Sequence, residues 1–274
     1  MTTALILGAA ALLPGTGWAA PAFSSRRISV KTQGSGPDVI LIPGLGSASS
    51  IWQACVAAVP GYRYHLIQVK GFAGTQPEAN RGGAVVEPVA AEIARYISAT
   101  GLQAPALIGH SMGGMLAMLL ALRFPRQTGS VMVVDMLPAG AGMVGGTAEG
   151  MGAFATRMGS YFTGTQGGRE MFRQLMGMFS PDAADNDPDT MAAALQDLAK
   201  LDITAELPKI RAPLTVLYAT PANAEQRAAI TRRYQTAYAG ARTAQLKPIG
   251  PSGHMIMFDQ PKRFADEVRL FLKG

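Results

Sequence analysis

The sequence of 274 residues is poor in several residue types, and each shortage excludes a class of protein. The single cysteine, Cys55, excludes an intrachain disulfide and a cysteine-based zinc site. Charged residues make up only 15% of the chain against 48% hydrophobic ones, which excludes a disordered chain and supplies enough apolar material for one core. The one long apolar run, Ala4 to Leu13, is too short for a membrane-spanning helix, which needs roughly 20 residues.

Charge distribution and turn residues limit the partners and the fold further. Lys and Arg outnumber Asp and Glu by 24 to 18, but they stand singly or in pairs such as Arg232-Arg233, not in a stripe between aromatic residues. Nucleic acid is therefore not expected as a partner. The 32 Gly and 18 Pro follow no three-residue period, which excludes collagen and favours a fold with many turns.

The first residues resemble a secretory signal peptide. The run Ala4 to Leu13 is rich in Ala and Leu, and Gly17-Trp18-Ala19 offers small residues at the two positions that a signal peptidase reads. Residues 1–19 are therefore predicted to direct export to the periplasm or the medium, and residues 20–274 to form the mature domain. The segment has no Lys or Arg, and a buried N-terminal helix or strand is the alternative interpretation.

Short apolar strands then alternate with helices along the chain. The predicted strands are Arg27–Lys31, Asp38–Ile42, Tyr62–Val69, Ala106–Ile108, Ser130–Val134, Leu214–Tyr218 and Ala244–Pro248. The predicted helices are Ser50–Val59, Val85–Ser98, Met112–Arg123, Glu225–Ala237 and Pro261–Leu272. Buried strands separated by helices need crossover connections, so we predict an α/β fold with a mainly parallel sheet covered on both faces.

Residues 138–207 depart from this alternation. The segment has helix-like stretches at Met151–Phe162 and Arg169–Phe179 and a polar turn at Ser180–Asp189, but no convincing strand. It is interpreted as a helical cap inserted into the domain. Eight of the 15 Met lie between Met136 and Met191, and their flexible side chains either line a site for apolar ligands or fill the core beneath the cap.

The pentapeptide Gly109-His110-Ser111-Met112-Gly113 carries the clearest chemical signal. It follows the strand that ends at Ile108 and opens a helix, which is the setting in which a G-x-S-x-G sequence exposes a nucleophilic serine on a strained turn. Glycines are needed there because neighbouring turns pass too close for a Cβ, and Gly114 adds room for helix packing. Ser111 is the candidate nucleophile, and an ordinary turn serine is the alternative.

A serine nucleophile needs a base, and the chain has only three histidines. His110 lies in the turn itself, where its side chain should point away from the Ser111 Oγ, and His65 lies within an early strand. His254 follows the last predicted strand and comes after the serine in the chain order that this architecture requires. His254 is therefore the candidate base.

The negative charge that develops on a substrate carbonyl oxygen needs hydrogen-bond donors already in place. The backbone N–H of Met112, directly after the nucleophile, is one candidate donor. The glycine loop Pro43-Gly44-Leu45-Gly46-Ser47, after an early strand, offers the N–H of Leu45 as the second. A simple tight turn is the alternative interpretation of this loop.

These motifs together are similar to those of the α/β-hydrolase superfamily, in its serine-esterase-like branch with a helical cap. The resemblance rests on Ile42-Pro43-Gly44-Leu45-Gly46, on the pentapeptide with Gly114, and on Ser252-Gly253-His254, and it covers nearly the whole chain after the leader. It implies an eight-stranded, mostly parallel sheet with the nucleophile between the sheet and the cap.

The third catalytic member is where this chain departs from the family pattern. Many members carry an acid in the loop after the strand that is Leu214–Tyr218 here, but that loop begins Ala219-Thr220-Pro221 and has no Asp. Some members, the haloalkane dehalogenase-like ones among them, place the acid at the end of an earlier strand, which is Asp135 in this chain. Asp135 is the preferred candidate, with Glu225, Asn223 or no acid as alternatives.

The sequence thus predicts a serine hydrolase that cleaves a carboxylic ester or a related acyl bond of a hydrophobic small molecule, without metal or organic cofactor. Carbon–carbon bond hydrolysis, acyl transfer, haloperoxidase and peptidase chemistry occur on the same scaffold and stay open. A binding protein that has lost activity and a lipase acting at a membrane surface, which the charge of +6 favours, are further alternatives.

Overall fold

A seven-stranded sheet forms the centre of the computed structural model, which describes residues 23–144 and 185–274. The strand order is β1-β3-β2-β4-β5-β6-β7. Only the pair β1 and β3 is antiparallel, and every other neighbouring pair is parallel. The strands are β1 (Ile28–Gly34), β2 (Asp38–Ile42), β3 (Arg63–Val69), β4 (Ala106–His110), β5 (Val131–Val134), β6 (Leu214–Ala219) and β7 (Ala244–Ile249).

The expected mainly parallel α/β sheet is confirmed, but the expectation of eight strands is wrong for the described part of the chain, which has seven. Residues 23–27, which precede β1 in the described part of the chain, form no strand. Phe23 instead packs edge-on against Tyr96, with ring centroids 4.9 Å apart, and the Arg95 guanidinium lies 4.4 Å above the Phe23 ring. These contacts hold the incoming chain on a helix.

Helices cover both faces of the sheet. The helices α2, α3 and α5 pack on one face, and α1 and α7 pack on the other. The helix α3 is buried nearly all round, because it packs on β4 and β5 on one side and on α2 on the other. The helices are α1 (Gln53–Ala58), α2 (Val86–Ala99), α3 (Met112–Arg123), α4 (Pro188–Lys200), α5 (Ala224–Ala237), α6 (Ile256–Asp259) and α7 (Pro261–Lys273).

The side-chain alternation of β2 shows how the sheet separates two cores. Ile40 and Ile42 belong to the core beneath α2 and α3, whereas Val39 and Leu41 belong to the core beneath α1 and α7. All four are buried, because successive side chains of a strand point to opposite faces and both faces are covered. Because the strands β2 to β7 are parallel, their carboxyl ends meet at one edge of the sheet, and the candidate residues lie at this edge.

The ends of the predicted cap, residues 138–207, are joined by backbone hydrogen bonds. The N–H of Ile203 donates to the Pro138 carbonyl at 3.0 Å, and the N–H of Gly140 donates to the Leu201 carbonyl at 2.9 Å. The described residues near these ends are helical: Gly140–Val144 and Thr204–Lys209 form 3₁₀ turns, and α4 lies between them in the chain. The predicted stretches Met151–Phe162 and Arg169–Phe179 lie outside the described residues.

The prediction of a polar turn at Ser180–Asp189 is wrong at its end, because Pro188 and Asp189 belong to the helix α4. Asp187 caps it by accepting a hydrogen bond from the N–H of Thr190 at 2.9 Å, and Pro188 occupies the first helical position. An Asp before a Pro is a typical helix start, so the signal was present in the sequence. The turn-forming residues around this signal favoured the prediction of a turn.

The segment predicted as a signal peptide, residues 1–19, lies outside the described residues, and export stays a prediction. Among the helices of residues 23–144 and 185–274, none has the length and apolar character needed to cross a bilayer.

Candidate active site

Ser111 lies at a sharp turn between β4 and α3. The strand ends at His110 and the helix begins at Met112, so the serine is the one residue at the junction. Its φ of 52° and ψ of −120° are rare for a residue with a Cβ, and such conformations cost about 1–3 kcal/mol. Its N–H donates to the Val134 carbonyl at 2.9 Å, which fixes the turn against the end of β5. The serine is therefore held in a strained conformation at the carboxyl edge of the sheet.

The glycines around Ser111 allow this turn to pack, as the sequence predicts. A Cβ on Gly109 would lie 2.0 Å from the carbonyl oxygen of Gly113, and a Cβ on Gly113 would lie 2.1 Å from that of Ile42. A Cβ on Gly114 would lie 3.0 Å from Cγ1 of Val133. The first two contacts are with backbone atoms, so no side-chain movement could relieve them.

Replacing Gly113 by alanine should therefore destabilise the protein. We expect Gly113→Ala to lower the free energy of unfolding by about 3 kcal/mol or more, because the new methyl group would overlap the Ile42 carbonyl. Urea denaturation measures the change. Gly83→Ala is the matched control, since a Cβ there meets no atom within 4 Å. Equal stability of the two variants would contradict the close approach.

His254 and Asp135 lie together although 119 residues separate them in the chain. The Nδ1 of His254 lies 2.7 Å from Oδ2 of Asp135. Asp135 follows β5 directly and is buried, with a φ of 51°, a left-handed conformation that Asp tolerates better than most residues. His254 follows β7 in an exposed loop. The carboxylate is therefore placed to orient the imidazole ring through its Nδ1–H.

Two further donors hold the second oxygen of Asp135. The backbone N–H of Ala219 and the phenol O–H of Tyr234 each donate to Oδ1 at 2.9 Å. Burial, the largest single effect, raises the pKa of Asp135, but the hydrogen bonds from His254, Ala219 and Tyr234 together lower it below its usual value. Asp135 is therefore ionised at neutral pH despite its burial.

The hydrogen bond from Tyr234 was not predicted from the sequence, and it yields a pH-dependent test. The O–H favours the ionised Asp135, so we expect Tyr234→Phe to lower the free energy of unfolding by about 1.5–3 kcal/mol at pH 7. A carboxylate with a lowered pKa stabilises the fold above its unfolded pKa, and this contribution disappears as the pH falls through the folded value. The loss from Tyr234→Phe should therefore shrink below about pH 4.

Tyr238→Phe is the control for this measurement. Its phenol O–H donates to the uncharged carbonyl of Met136 at 2.6 Å, and its ring stacks with that of Tyr234. Chemical denaturation of both variants between pH 3 and pH 7 compares the two losses. A loss from Tyr234→Phe that parallels that of Tyr238→Phe at every pH would contradict a role for Tyr234 in holding the charge of Asp135.

The alternative acids, Glu225 and Asn223, are not brought to His254. Glu225 is exposed in the first turn of α5, where its charge favours the helix N-terminus. Asn223 caps the same helix, because its Oδ1 accepts a hydrogen bond from the N–H of Gln226 at 3.0 Å. Both residues thus have a structural role at a helix start.

The glycine loop after β2 lies against the nucleophile turn. A Cβ on Gly44 would lie 3.2 Å from the Ser111 Cβ and 2.9 Å from Nδ1 of His110. The next residue, Leu45, is partly buried, and Met112 is the first residue of α3. The two backbone segments predicted to supply oxyanion donors therefore flank Ser111.

The remaining histidines have structural positions, as the sequence predicts. His110 is buried, and its Nε2–H donates to the His254 carbonyl at 3.0 Å, with the two ring centroids 4.6 Å apart. Burial lowers the pKa of His110 to about 4, and the neighbouring His254 contributes to this shift, so His110 is neutral at pH 7. His65 lies between Asp38 and Tyr96, with hydrogen bonds of 2.8 Å and 2.6 Å.

Within the described part of the chain, no hydrogen bond joins the Ser111 Oγ to His254 or to another residue. Serine–histidine contacts in ligand-free hydrolases are often long and shorten when substrate binds. The same part of the chain has no cluster of three His, Cys, Asp or Glu side chains that could hold a metal ion.

Three of the eight methionines from Met136 to Met191 lie in the described residues. Met136 and Met191 are buried in the core. Met143 is only partly buried and lines a cavity beside Asp135 and His254, together with Leu137. The other methionines of this region lie outside the described residues.

Comparison with known proteins identifies the family. A family model described as the alpha/beta hydrolase family matches residues 39–267. The chain belongs to this family. A pimeloyl-[acyl-carrier protein] methyl ester esterase of Vibrio vulnificus is 27% identical over 206 residues, which cover 69% of this chain and 77% of that protein.

Solved structures share the fold of this alpha/beta hydrolase. A hydrolase from Pseudomonas aeruginosa superposes with a TM-score of 0.72 at 17% identity, covering 90% of this chain and 94% of that one. An esterase from Thermogutta terrifontis superposes with a TM-score of 0.68 at 21% identity, covering 90% and 93%. The membership of the superfamily that the sequence motifs indicate is confirmed, and relatives with esterase names support ester hydrolysis as its chemistry.

Proposed function

We propose that the chain hydrolyses carboxylic esters, or related acyl bonds, through an acyl-enzyme intermediate on Ser111. The observation that carries the proposal is the 2.7 Å contact between Asp135 and His254, at the sheet edge where Ser111 occupies its strained turn. A buried carboxylate, an imidazole that it orients and an activated serine are the three parts of a catalytic triad. Asp135 supplies the acid that the loop after β6 lacks.

The proposed reaction has two halves. His254 accepts the proton of the Ser111 hydroxyl as its oxygen attacks the ester carbonyl, and the imidazolium then gives that proton to the leaving alcohol. The ester C–O bond breaks and an acyl group remains on Ser111. In the second half, His254 accepts a proton from water, whose oxygen attacks the acyl carbonyl, and returns it to the serine.

The environment of Ser111 supports stabilisation of the intermediate. The N–H groups of Leu45 and Met112 are the proposed donors to the carbonyl oxygen, because both belong to backbone next to the serine. Asp135, ionised and held by three hydrogen bonds, offsets the positive charge of the His254 imidazolium. No step requires a metal or an organic cofactor.

A hydrophobic small-molecule ester is the proposed substrate class. Leu137 and Met143 line the cavity beside His254, which supports contact with an apolar chain. The name of the Vibrio vulnificus relative specifies a methyl ester of an acyl chain, which is consistent with this class. A screen of 4-nitrophenyl esters by acyl length measures the preference.

Labelling with a fluorophosphonate probe tests the proposal against a binding protein without activity. The probe forms a covalent bond with an activated serine and not with an ordinary one. We expect stoichiometric labelling at Ser111, located by peptide mass spectrometry, and none in Ser111→Ala. Absence of labelling in a folded, unmodified chain would reject the serine mechanism.

Two expectations from the sequence extend this proposal to the setting of the enzyme. Export, predicted from residues 1–19, is checked by fractionating cells that express the full chain.

Action at an anionic membrane surface, which the charge of +6 favours, predicts binding to anionic vesicles that weakens as the salt concentration is raised.

A further inference from the structure

Arg233 borders two cavities, one of which is lined by the proposed catalytic pair. The first, of about 300 Å³, is lined by His254 and Asp135 and by apolar side chains that include Leu137 and Met143. The second, of about 470 Å³, lies over α5 and the 3₁₀ turn near it. Leu137 and Arg233 line both, so the two cavities are neighbours and the Arg233 side chain borders each of them.

Two observations show which parts of the molecule the exposed Arg233 side chain is near. The Nη2 of Arg233 lies 3.9 Å from the point that a Cβ on Gly142 would occupy, so the side chain reaches from α5 to the 3₁₀ turn Gly140–Val144. The charge of Arg233 also affects Tyr234, which lines the first cavity. Burial and Asp135 raise the pKa of Tyr234, and the nearby Arg233 opposes that rise.

Arg233 has no counter-charge in the described residues. Over the two ranges 23–144 and 185–274, its side chain forms no ion pair and no hydrogen bond. The carboxylate of the first cavity, Asp135, is already engaged by three other donors. A second cation, Arg232, lines the second cavity and strengthens the positive potential there.

We propose that Arg233 binds a carboxylate at the far end of the substrate while the ester group lies at His254. This inference rests on the proposed ester hydrolysis. A guanidinium offers paired N–H donors that match the two oxygens of a carboxylate, and Leu137 and Met143 supply apolar contacts between the two ends. The substrate class is therefore an ester of an acyl chain that carries a terminal carboxylate.

A guanidinium binds both carboxylate and phosphate oxygens, and the terminal carboxylate is proposed here because an acyl chain can carry one. Phosphates are commonly bound by backbone N–H groups at a helix N-terminus. Arg233 instead lies in the last turns of α5, which spans Ala224–Ala237, and offers a side-chain fork.

A pair of substrates with matched acyl length tests the site. The 4-nitrophenyl monoester of adipic acid carries a terminal carboxylate, and 4-nitrophenyl hexanoate does not. We expect Arg233→Gln to lower the ratio of kcat/KM for the charged ester to that for the neutral ester by about three- to tenfold, as befits a solvent-accessible charge pair. The same ratio in the unmodified protein should fall as sodium chloride is added.

Arg227→Gln is the matched control, because it removes one positive charge from the same helix. Its guanidinium donates to the Ala222 carbonyl at 3.3 Å, away from both cavities. We expect it to change the ratio by less than about twofold, as is usual for a surface substitution. A change below threefold in Arg233→Gln, or an equal change in Arg227→Gln, would overturn the assignment.

A binding measurement separates this inference from the proposed hydrolysis. Monomethyl adipate, which has one free carboxylate, should raise the melting temperature of the Ser111→Ala protein more than dimethyl adipate does. The difference should disappear in the double variant Ser111→Ala, Arg233→Gln. If monomethyl adipate raises the melting temperature of Ser111→Ala no more than dimethyl adipate does, the carboxylate site is rejected, even if esters are hydrolysed. If it raises the melting temperature more, the site is retained, even if esters are not hydrolysed.

Discussion

Ser111→Ala is expected to lower kcat for a 4-nitrophenyl ester by on the order of 10⁴- to 10⁶-fold. The hydroxyl oxygen is the atom that forms the acyl bond in the proposed reaction, and no neighbouring group replaces it. Residual hydrolysis would reflect substrate binding and the backbone donors at Leu45 and Met112 alone. Steady-state kinetics with active-site titration measures the loss.

The variant should keep its fold, which separates lost chemistry from lost structure. Alanine retains the Cβ and therefore the same strained φ of 52°, and the Ser111 Oγ has no hydrogen bond to lose in the described residues. We expect the free energy of unfolding to change by less than about 0.5 kcal/mol. Ser35→Ala, in the exposed turn between β1 and β2, is the control for a serine substitution. Near-normal turnover in Ser111→Ala would remove the serine from the reaction.

The elbow could be predicted from the sequence because its requirements are local. Gly109 and Gly113 lie within two residues of Ser111, and each is needed where a carbonyl oxygen lies closer than 2.2 Å to the position of a Cβ. The bounds of α3, Met112–Arg123, agree with the prediction because an apolar run and a following Pro125 mark both ends. These signals come from residues that are close to one another in the sequence.

The contacts that complete the site depend instead on distant residues. Asp135 and His254 could be selected by their places at strand ends, since parallel strands end at a common edge. Tyr234 could not, because it is 99 residues from Asp135 and its position in α5 is that of any buried aromatic residue. A tyrosine that donates a hydrogen bond to a distant carboxylate has no characteristic spacing from that carboxylate in the sequence.

The number of strands in the described residues, seven, also differs from the eight that the family pattern implies. The number eight came from the family pattern, whereas residues 23–27, the described residues before β1, form no strand. Because its ring lies on Tyr96 and beneath Arg95, Phe23 is held against α2 shortly before β1 begins. Aromatic contacts between the chain entry and a helix are tertiary, so periodicity does not reveal them.

Asp135→Asn should lower kcat by on the order of 10⁴-fold, whereas Glu225→Gln should leave it within about twofold. Asparagine accepts the left-handed backbone at this position, and its amide oxygen can still accept from Ala219 and Tyr234. The amide nitrogen then faces Nδ1 of His254. A neutral amide cannot stabilise the imidazolium, and its N–H favours the wrong tautomer of the ring.

The comparison of the two variants decides which residue is the acid. Glu225 is exposed at the start of α5, so its amide loses only a favourable charge at the helix N-terminus, about 0.3–1 kcal/mol of stability. Kinetics of both variants at several pH values, with circular dichroism to confirm folding, gives the ranking. A larger loss in Glu225→Gln than in Asp135→Asn would move the acid to α5, and the 2.7 Å contact between Asp135 and His254 would then have only a structural role.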